Sequence, residues 1–386
     1  MKTPLSKKIL FSCLPFLVFL FLAEIGLRLS DQLLPVRVVC FHPIYEREYC
    51  ANTEGSLKYE NVIKVNRHGM LDQNYPKPKT PGALRIAVLG DSMTAGEEVK
   101  NTQRYHEIWE RALPKRLGRD VEVLNFGVRG FGTWESLQMY HLKAKQFQPD
   151  YTVLGFYWGN DIENNLQAQL EAQPNPLRGQ YEIPLIRKIN LARKDFNKWL
   201  WNHSAVYHLT RKGYNEVETH VKNLFSDNGQ RTVRIQKEYE AQPQAFEFAR
   251  QGMAFKPPPL GEDLESTVDD KFFFDSEGWH LTRRLIRKLN DEVLKSGSQL
   301  IVIHFMDVEQ YYNYPPLSLR EFDTFLMQEG IPHLNMYPAF NALDRKALAA
   351  NTFEHDNHFN ATGHKFLADN SIDFLVRQIL GSGRVT

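Results

Sequence analysis

Short apolar runs alternate with amphipathic stretches over much of this chain, and the alternation predicts its architecture. Leu84–Leu89 (LRIAVL) is apolar at all but one position and stops at Gly90, the pattern of a strand buried on both faces. Tyr105–Leu117 then mixes apolar and charged residues at helical spacing, so one β-α unit is complete by Gly118. The same grammar gives a strand at Val121–Phe126 (VEVLNF), a helix at Thr133–Phe147 and a strand at Tyr151–Tyr157 (YTVLGFY). Much later, Leu281–Lys295 reads as a helix, Leu300–Phe305 (LIVIHF) as a strand and Arg320–Glu329 as a helix. A short strand at Pro332–Met336 and a helix at Thr362–Leu380 close the pattern. Strands alternating with helices predict an α/β fold, a three-layer αβα sandwich around a mostly parallel five-stranded sheet.

The pattern is broken twice. From Val36 to Pro81 no periodicity is sustained, and the stretch is read as a stem packed on the following domain. From Ile162 to Asp275 the alternation stops again, in a polar segment with Trp199, Trp201, Tyr207 and the run Pro257, Pro258, Pro259. So long an interruption cannot be one loop, and an inserted, partly helical cap is expected, with a disordered excursion over Glu216–Pro259 as the alternative. Trp199 and Trp201 belong either to the core of that cap or to a sugar-stacking platform. The expected organisation is an anchor over 1–35, a stem over 36–81 and a catalytic-type domain over 82–386 interrupted at 162–275.

The anchor rests on the apolar run Ile9–Ala23, which has Lys2, Lys7 and Lys8 before it and Glu24, Arg28 and Asp31 after it. Leading lysines favour a cytoplasmic N-terminus. At about 15 residues the run is short, but Ile25, Gly26, Leu27 and Leu29 extend it towards the roughly 20 residues of a bilayer span. A cleaved signal peptide is the rival reading, for which Phe21 and Leu22 before Ala23 make a poor cleavage site. A buried core helix fits the flanking charges least. A retained single-pass anchor is expected, and either of the first two readings places the remaining chain outside the cytoplasm. Cys13 lies inside the run, leaving Cys40 and Cys50 either as a pair, which an oxidising compartment permits, or as two free thiols.

Composition narrows the picture by exclusion. The 386 residues are 42% hydrophobic and 24% charged, which supports a sizeable core and argues against global disorder. Lys plus Arg (47) balances Asp plus Glu (46), so no long-range field draws the chain to nucleic acid, and no nucleic-acid partner is expected.

Candidate chemistry collects where open parallel sheets bind ligands, at the carboxyl ends of their strands. Gly90, Asp91, Ser92 and Met93 follow the first strand, placing a hydroxyl at a strand-to-helix turn where helix amides stabilise negative charge. Asn125, Phe126, Gly127, Gly130 and Gly132 follow the second, and Gly130 offers a backbone amide without a Cβ in the way. Trp158, Gly159, Asn160 and Asp161 follow the third, and Asn160 supplies a carboxamide donor. Before the last helix, Glu354–Gly363 (EHDNHFNATG) brings His355, Asp356 and His358 together. Each residue also has a plainer reading. Ser92 suits a helix N-cap, Gly130 a turn, Asp161 a loop brace and His364 a packed or surface position. His355, Asp356, His358 and His364 could together hold a metal, but that would leave the Ser-bearing turn unexplained, and no metal or other cofactor is expected.

GDS, N-x-G-x-x-G, GND and D-x-H-x-N-x-x-G, each at the end of a predicted strand or before the last helix, resemble the four blocks of SGNH/GDSL hydrolases. The resemblance runs from Leu84 to Leu380 outside the insertion, and Val65–Met70 (VNRHGM) resembles the entry segment of anchored members. It implies a flavodoxin-like SGNH fold, Ser92 as nucleophile, His358 as base, and an oxyanion hole from the Ser92 amide, the Gly130 amide and the Asn160 side chain. Many members place the orienting Asp three residues before the His, where this chain has His355. Asp356 stands two before, a spacing that resembles acetylation-system relatives. Either Asp356 completes a triad with His358 or a backbone carbonyl orients a dyad.

The resulting expectation is a serine esterase acting on O-acyl, chiefly O-acetyl, groups of cell-envelope or secreted carbohydrate, with transfer to a second sugar hydroxyl as a variant outcome. The expected partners are thus an acylated substrate and, through the anchor, a membrane. A lipid esterase or lysophospholipase is the next enzymatic reading. A catalytically silent polysaccharide-binding envelope protein is the alternative from another class.

Overall fold

In the computed structural model, residues 14–15, 18–27, 38–42, 44–56, 61–165, 204, 206–207, 210, 277–306, 316–353 and 356–382 are described. Two compact units are distinguished, Met1–Arg37 with Pro174–Lys237 and Val38–Gln173 with Glu238–Thr386. In the first, residues 18–27 are helical, and Glu24 accepts hydrogen bonds from the Ser204 hydroxyl and the Val206 amide, both at 3.0 Å. The apolar side chains of this helix are exposed, Phe19 at 64%, Phe21 at 65% and Leu22 at 60%. The expected transmembrane helix is not established, because no helix among the described residues is long and apolar enough to cross a membrane. Trp199, Trp201 and nearly all of the expected cap lie outside the described residues.

The second unit begins with two hairpins, β1 (Val39–His42) with β2 (Glu46–Tyr49) and β3 (Glu54–Ser56) with β4 (Val62–Lys64). Sequence periodicity missed these strands because each spans only three or four residues, too few for alternation to stand out. A disulfide joins Cys40 to Cys50 across the first hairpin. The hairpins pack on the larger domain, with Tyr49, Ile63, Val65, Met70, Leu71 and Tyr75 entering its hydrophobic core.

Five parallel strands build the sheet: β5 (Leu84–Gly90), β6 (Val121–Asn125), β7 (Tyr151–Tyr157), β8 (Gln299–Phe305) and β9 (His333–Asn335), in spatial order β6-β5-β7-β8-β9. Every residue of β5 and β7 is buried, as a sheet covered on both faces requires. Helix α2 (Tyr105–Leu117) packs on the last helix, α8 (Ala361–Gly381), where the Trp109 indole donates to the Ser371 hydroxyl at 2.9 Å. A second helix pair, α3 (Thr133–Leu142) with α4 (Glu277–Lys295), completes the main cover, and α5 (Pro316–Gln328) packs by β9. The expected helix over Thr133–Phe147 is shorter, since the chain ends α3 at Leu142 and continues as a 3₁₀ turn over Ala144–Phe147.

A charged side chain on the first sheet strand sits inside this core. Arg85 on β5 is wholly buried, and its guanidinium is answered by Glu122 on β6 (2.6 Å) and by the Phe147 and Lys77 carbonyls (2.7 and 3.0 Å). Such pairing is what makes a buried ion tolerable, and the Lys77 contact ties the preceding loop to the first strand.

Candidate active site

The chain leaving β5 turns abruptly. Asp91 caps the one-turn helix α1 (Ser92–Ala95) by accepting the Met93 amide at 2.9 Å, and Gly96, at φ 63°, ends it in a left-handed conformation. Thr94 fills the space under the turn, and its hydroxyl accepts a hydrogen bond from Tyr105 at 2.8 Å. Three glycines from adjacent strands make that space. A Cβ on Gly127 would meet the Thr94 methyl at 2.6 Å and the Ala95 amide nitrogen at 2.7 Å, one on Gly155 would meet the Thr94 hydroxyl at 2.7 Å, and one on Gly90 would overlap Thr94. Gly90 and Gly155 are register partners on β5 and β7. The Ser92 turn is therefore seated on the sheet by close backbone approach, with Ser92 itself 8% exposed.

A third hairpin carries the imidazole: β10 (Thr352–Phe353) pairs with β11 (Asp356–Phe359), just ahead of the last helix. Asn360 fastens its end. Its carboxamide donates to the Ala350 and Thr352 carbonyls (2.9 and 2.7 Å) and caps α8 by accepting the Thr362 and Gly363 amides (2.8 and 3.2 Å). Behind His358, Asp356 Oδ1 accepts Nδ1–H and also the His358 amide at 3.1 Å. With Nδ1 protonated, Nε2 is the acceptor, and the Ser92 hydroxyl donates to it at 2.8 Å. The two-residue spacing therefore reaches the outer ring nitrogen directly; the backbone-carbonyl arrangement is not the one observed.

The expected oxyanion donors lie at the same end of the sheet. The Val128 amide donates to the Gly90 carbonyl at 3.1 Å, holding the turn after β6 beside the Ser92 turn. Gly130 adopts φ 72°, a left-handed conformation that favours glycine, and the Arg47 guanidinium lies 2.6 Å from where a Cβ would stand. Asn160 follows β7, and its buried Oδ1 has no hydrogen-bond partner among the described residues. Asn164 donates to the Gly130 and Phe131 carbonyls (3.3 and 3.4 Å), joining the loops after β6 and β7.

Buried acids surround this cleft. Burial pushes the Asp91 carboxyl up to about 7, against the opposing pull of the His358 charge. Asp161 is held well above the usual carboxylate range by burial first and by the Asp91 charge second. It braces its loop by accepting the Tyr157 amide at 3.1 Å. His364 is packed inside, stacked on Tyr105 at 5.9 Å, and burial lowers its pKa to about 3. His355, a member of the metal set weighed from sequence, lies outside the described residues.

Two contributors escaped the sequence reading. The Glu98 carboxylate, almost wholly buried, lies 3.9 Å from His358 Nε2, too far for a hydrogen bond but close enough to favour an imidazolium. It follows the left-handed turn at Gly96, and nothing in the Glu-Glu doublet announces its place beside the imidazole. Arg47 reaches Gly130 from the first hairpin, which lies far from the four motif blocks in sequence. Glu98, Asp356 and His358 bring ligand-type atoms within 4.8 Å of one another, but both ring nitrogens are already engaged, by Asp356 and by Ser92.

Solved structures to which the chain is similar include TesA, at 10% identity and a TM-score of 0.38 over 75% of this chain and 97% of that one. A two-domain esterase (CEX) active on acetylated mannans matches at 13% identity and a TM-score of 0.37, over 77% of this chain and 50% of that one. A variant of Axe2, an acetyl-xylooligosaccharide esterase from Geobacillus Stearmophilus, matches at 11% identity and a TM-score of 0.38, over 76% and 94%. No curated protein matches the chain. The family model described as GDSL-like Lipase/Acylhydrolase matches residues 86–371, which takes in the Ser92 turn, both glycine-bearing loops and His358, and the chain belongs to that family of ester-bond hydrolases.

Proposed function

We propose that this chain is a serine esterase that removes O-acyl, chiefly O-acetyl, groups from cell-envelope or secreted carbohydrate. The observation that carries the reading is the linear relay Ser92 Oγ, His358 Nε2, His358 Nδ1, Asp356 Oδ1. An unaided serine hydroxyl is a weak nucleophile near neutral pH, so an imidazole must accept its proton as it attacks. Ser92 attacks the acyl carbon, His358 takes the proton, and Asp356 stabilises the imidazolium that forms. The Ser92 and Gly130 amides and the Asn160 carboxamide receive the oxyanion. His358 then returns its proton to the leaving sugar oxygen. Water, activated by the same imidazole, cleaves the acyl-enzyme, and a sugar hydroxyl in place of water makes the step a transfer.

The exposed apolar helix over 18–27 and the Cys40–Cys50 disulfide support a membrane-anchored protein whose catalytic domain faces an oxidising, extracytoplasmic compartment. The whole reading is tested by assaying the purified chain and its Ser92→Ala variant on nitrophenyl esters of rising acyl length and on acetylated polysaccharide. Fast, Ser92-dependent release from acetyl esters and of acetate from polysaccharide is expected. Preference for long acyl chains would replace the carbohydrate substrate with a lipid, and equal rates for both proteins would leave a silent binding protein.

A further inference from the structure

Away from the Ser92 turn, three ligand-type side chains converge in the interior. Asp72 lies on the loop after β4, and His106 and Glu107 are neighbours in the first turn of α2. One ligand atom from each lies within 4.8 Å of the other two. Donors held about 2.0–2.2 Å from a common ion stand roughly 3–4 Å apart, so a small closing movement of side chains completes the geometry.

His106 supplies the independent reason to expect a ligand. It is wholly buried, and neither ring nitrogen has a hydrogen-bond partner among the described residues. A buried imidazole ordinarily satisfies at least one nitrogen. Its edge contact with Tyr105, at 6.1 Å between ring centres, leaves both nitrogens unengaged.

Asp72, by contrast, is fixed in place. Its Oδ1 accepts the Gln73 amide at 2.7 Å and its Oδ2 the Asn125 amide at 2.8 Å, which orients the group, and its side chain is also hydrogen-bonded to Glu107, a pairing that an ion between the two would replace. The guanidinium of Arg104 is the buried cation nearby, held by the Gly96 and Leu71 carbonyls at 2.9 and 2.6 Å. A pocket of about 460 Å³ reaches Asp72 and Glu107 past Asn52, Asn66, Asn74 and Asn101, giving an ion a polar way in.

We propose that Asp72, His106 and Glu107 form a divalent-metal site. One imidazole with two carboxylates suits a first-row transition ion such as Zn²⁺ or Mn²⁺ better than the all-oxygen preference of Ca²⁺ or Mg²⁺. The ion clips the loop after β4 to α2 and, through the Asp72–Asn125 hydrogen bond, to the end of β6. The site is independent of the esterase reading.

The full chain, purified in detergent and stripped with chelator, is titrated with Zn²⁺ by calorimetry and by thermal melting. One ion per chain and a melting temperature several degrees higher are expected, both retained in His358→Asn. Glu107→Gln and His106→Asn should weaken Zn²⁺ binding at least tenfold. Should those variants not fold, crystals of the unmodified chain soaked in Zn²⁺ decide the matter, with an anomalous peak expected among the three side chains. No peak, a peak confined to Glu98 and His358, or unchanged affinity in folded Glu107→Gln overturns the site.

Discussion

The two pieces of chain that meet at Ser92 and His358 are held by different physics. The Ser92 turn is buried on the sheet, where three glycines, Thr94 and the Asp91 cap leave it one seat. The His358 hairpin is a two-residue strand against a four-residue one, irregular in register, with His358 and Asp356 side chains 24% and 15% exposed. Packing fixes the whole of the first piece, whereas in β10 and β11 only Phe359 enters the core, and hydrogen bonds at Asp356 and Asn360 hold the rest. Damage to the packing beneath the turn should therefore register chiefly as lost stability, whereas loss of a reacting side chain, or of the contacts that hold the hairpin's end, should register chiefly as lost catalysis.

The sharpest test removes the reacting groups. Ser92→Ala should lower kcat/KM on acetyl ester by about 10⁴-fold or more, and Asp356→Asn by about 10³ to 10⁴-fold through the wrong imidazole tautomer, both with little change in melting temperature. An Asp356→Asn variant within tenfold of the original enzyme would mean that Asp356 does not orient His358. Next comes Gly127→Ala, whose Cβ would strike the Thr94 methyl and the Ala95 amide nitrogen. A loss of about 1–3 kcal/mol in urea unfolding is expected, and an unchanged midpoint would show that the turn is not tightly seated. On the hairpin side, Asn360→Ala removes a helix cap and two carbonyl contacts, so about 1–2 kcal/mol of stability should go, with a larger fall in kcat than rise in KM. A variant with full kcat would break the link between this anchor and the imidazole.

The last test reads a slope rather than a loss, the pH dependence of stability within the turn. Burial holds the Asp91 carboxyl up at about 7 in the fold, whereas in the unfolded chain it meets water and ionises near the ordinary value of 3.8. The folded state therefore binds more protons across that window, so this contribution to stability is complete below pH 3.8 and is lost as pH rises towards 7. Asp91→Asn keeps an oxygen for the Met93 amide and should flatten the decline in unfolding midpoint between pH 5 and pH 7. Superimposable pH profiles for the two proteins would count against a protonated Asp91.

The same contrast explains what could be read in advance. The long strands β5, β7 and β8 were legible, because burial on both faces favours a nearly continuous apolar run. The Ser92 turn was legible too, since a tight turn of this kind demands Gly90 and a capping Asp91 at fixed places. The short hairpins were not, because β1–β4 and β10–β11 are specified by pairing rather than by periodicity. The choice between triad and dyad stayed open for the same reason: the reach of Asp356 depends on the bend of β11 and not on its distance in sequence from His358.

By itself, then, the sequence determined the order of strands and helices and which residue types stand at the sheet's carboxyl ends, because local periodicity and turn chemistry are written residue by residue. Tertiary structure alone decided that Asp356 faces the outer nitrogen of His358, that Glu98 lies near that imidazole, and that Arg47 reaches Gly130. It alone also brought Asp72 to His106 and Glu107. Those contacts join segments far apart or bent out of regular geometry, and their distances follow from how the layers pack, which no local pattern encodes.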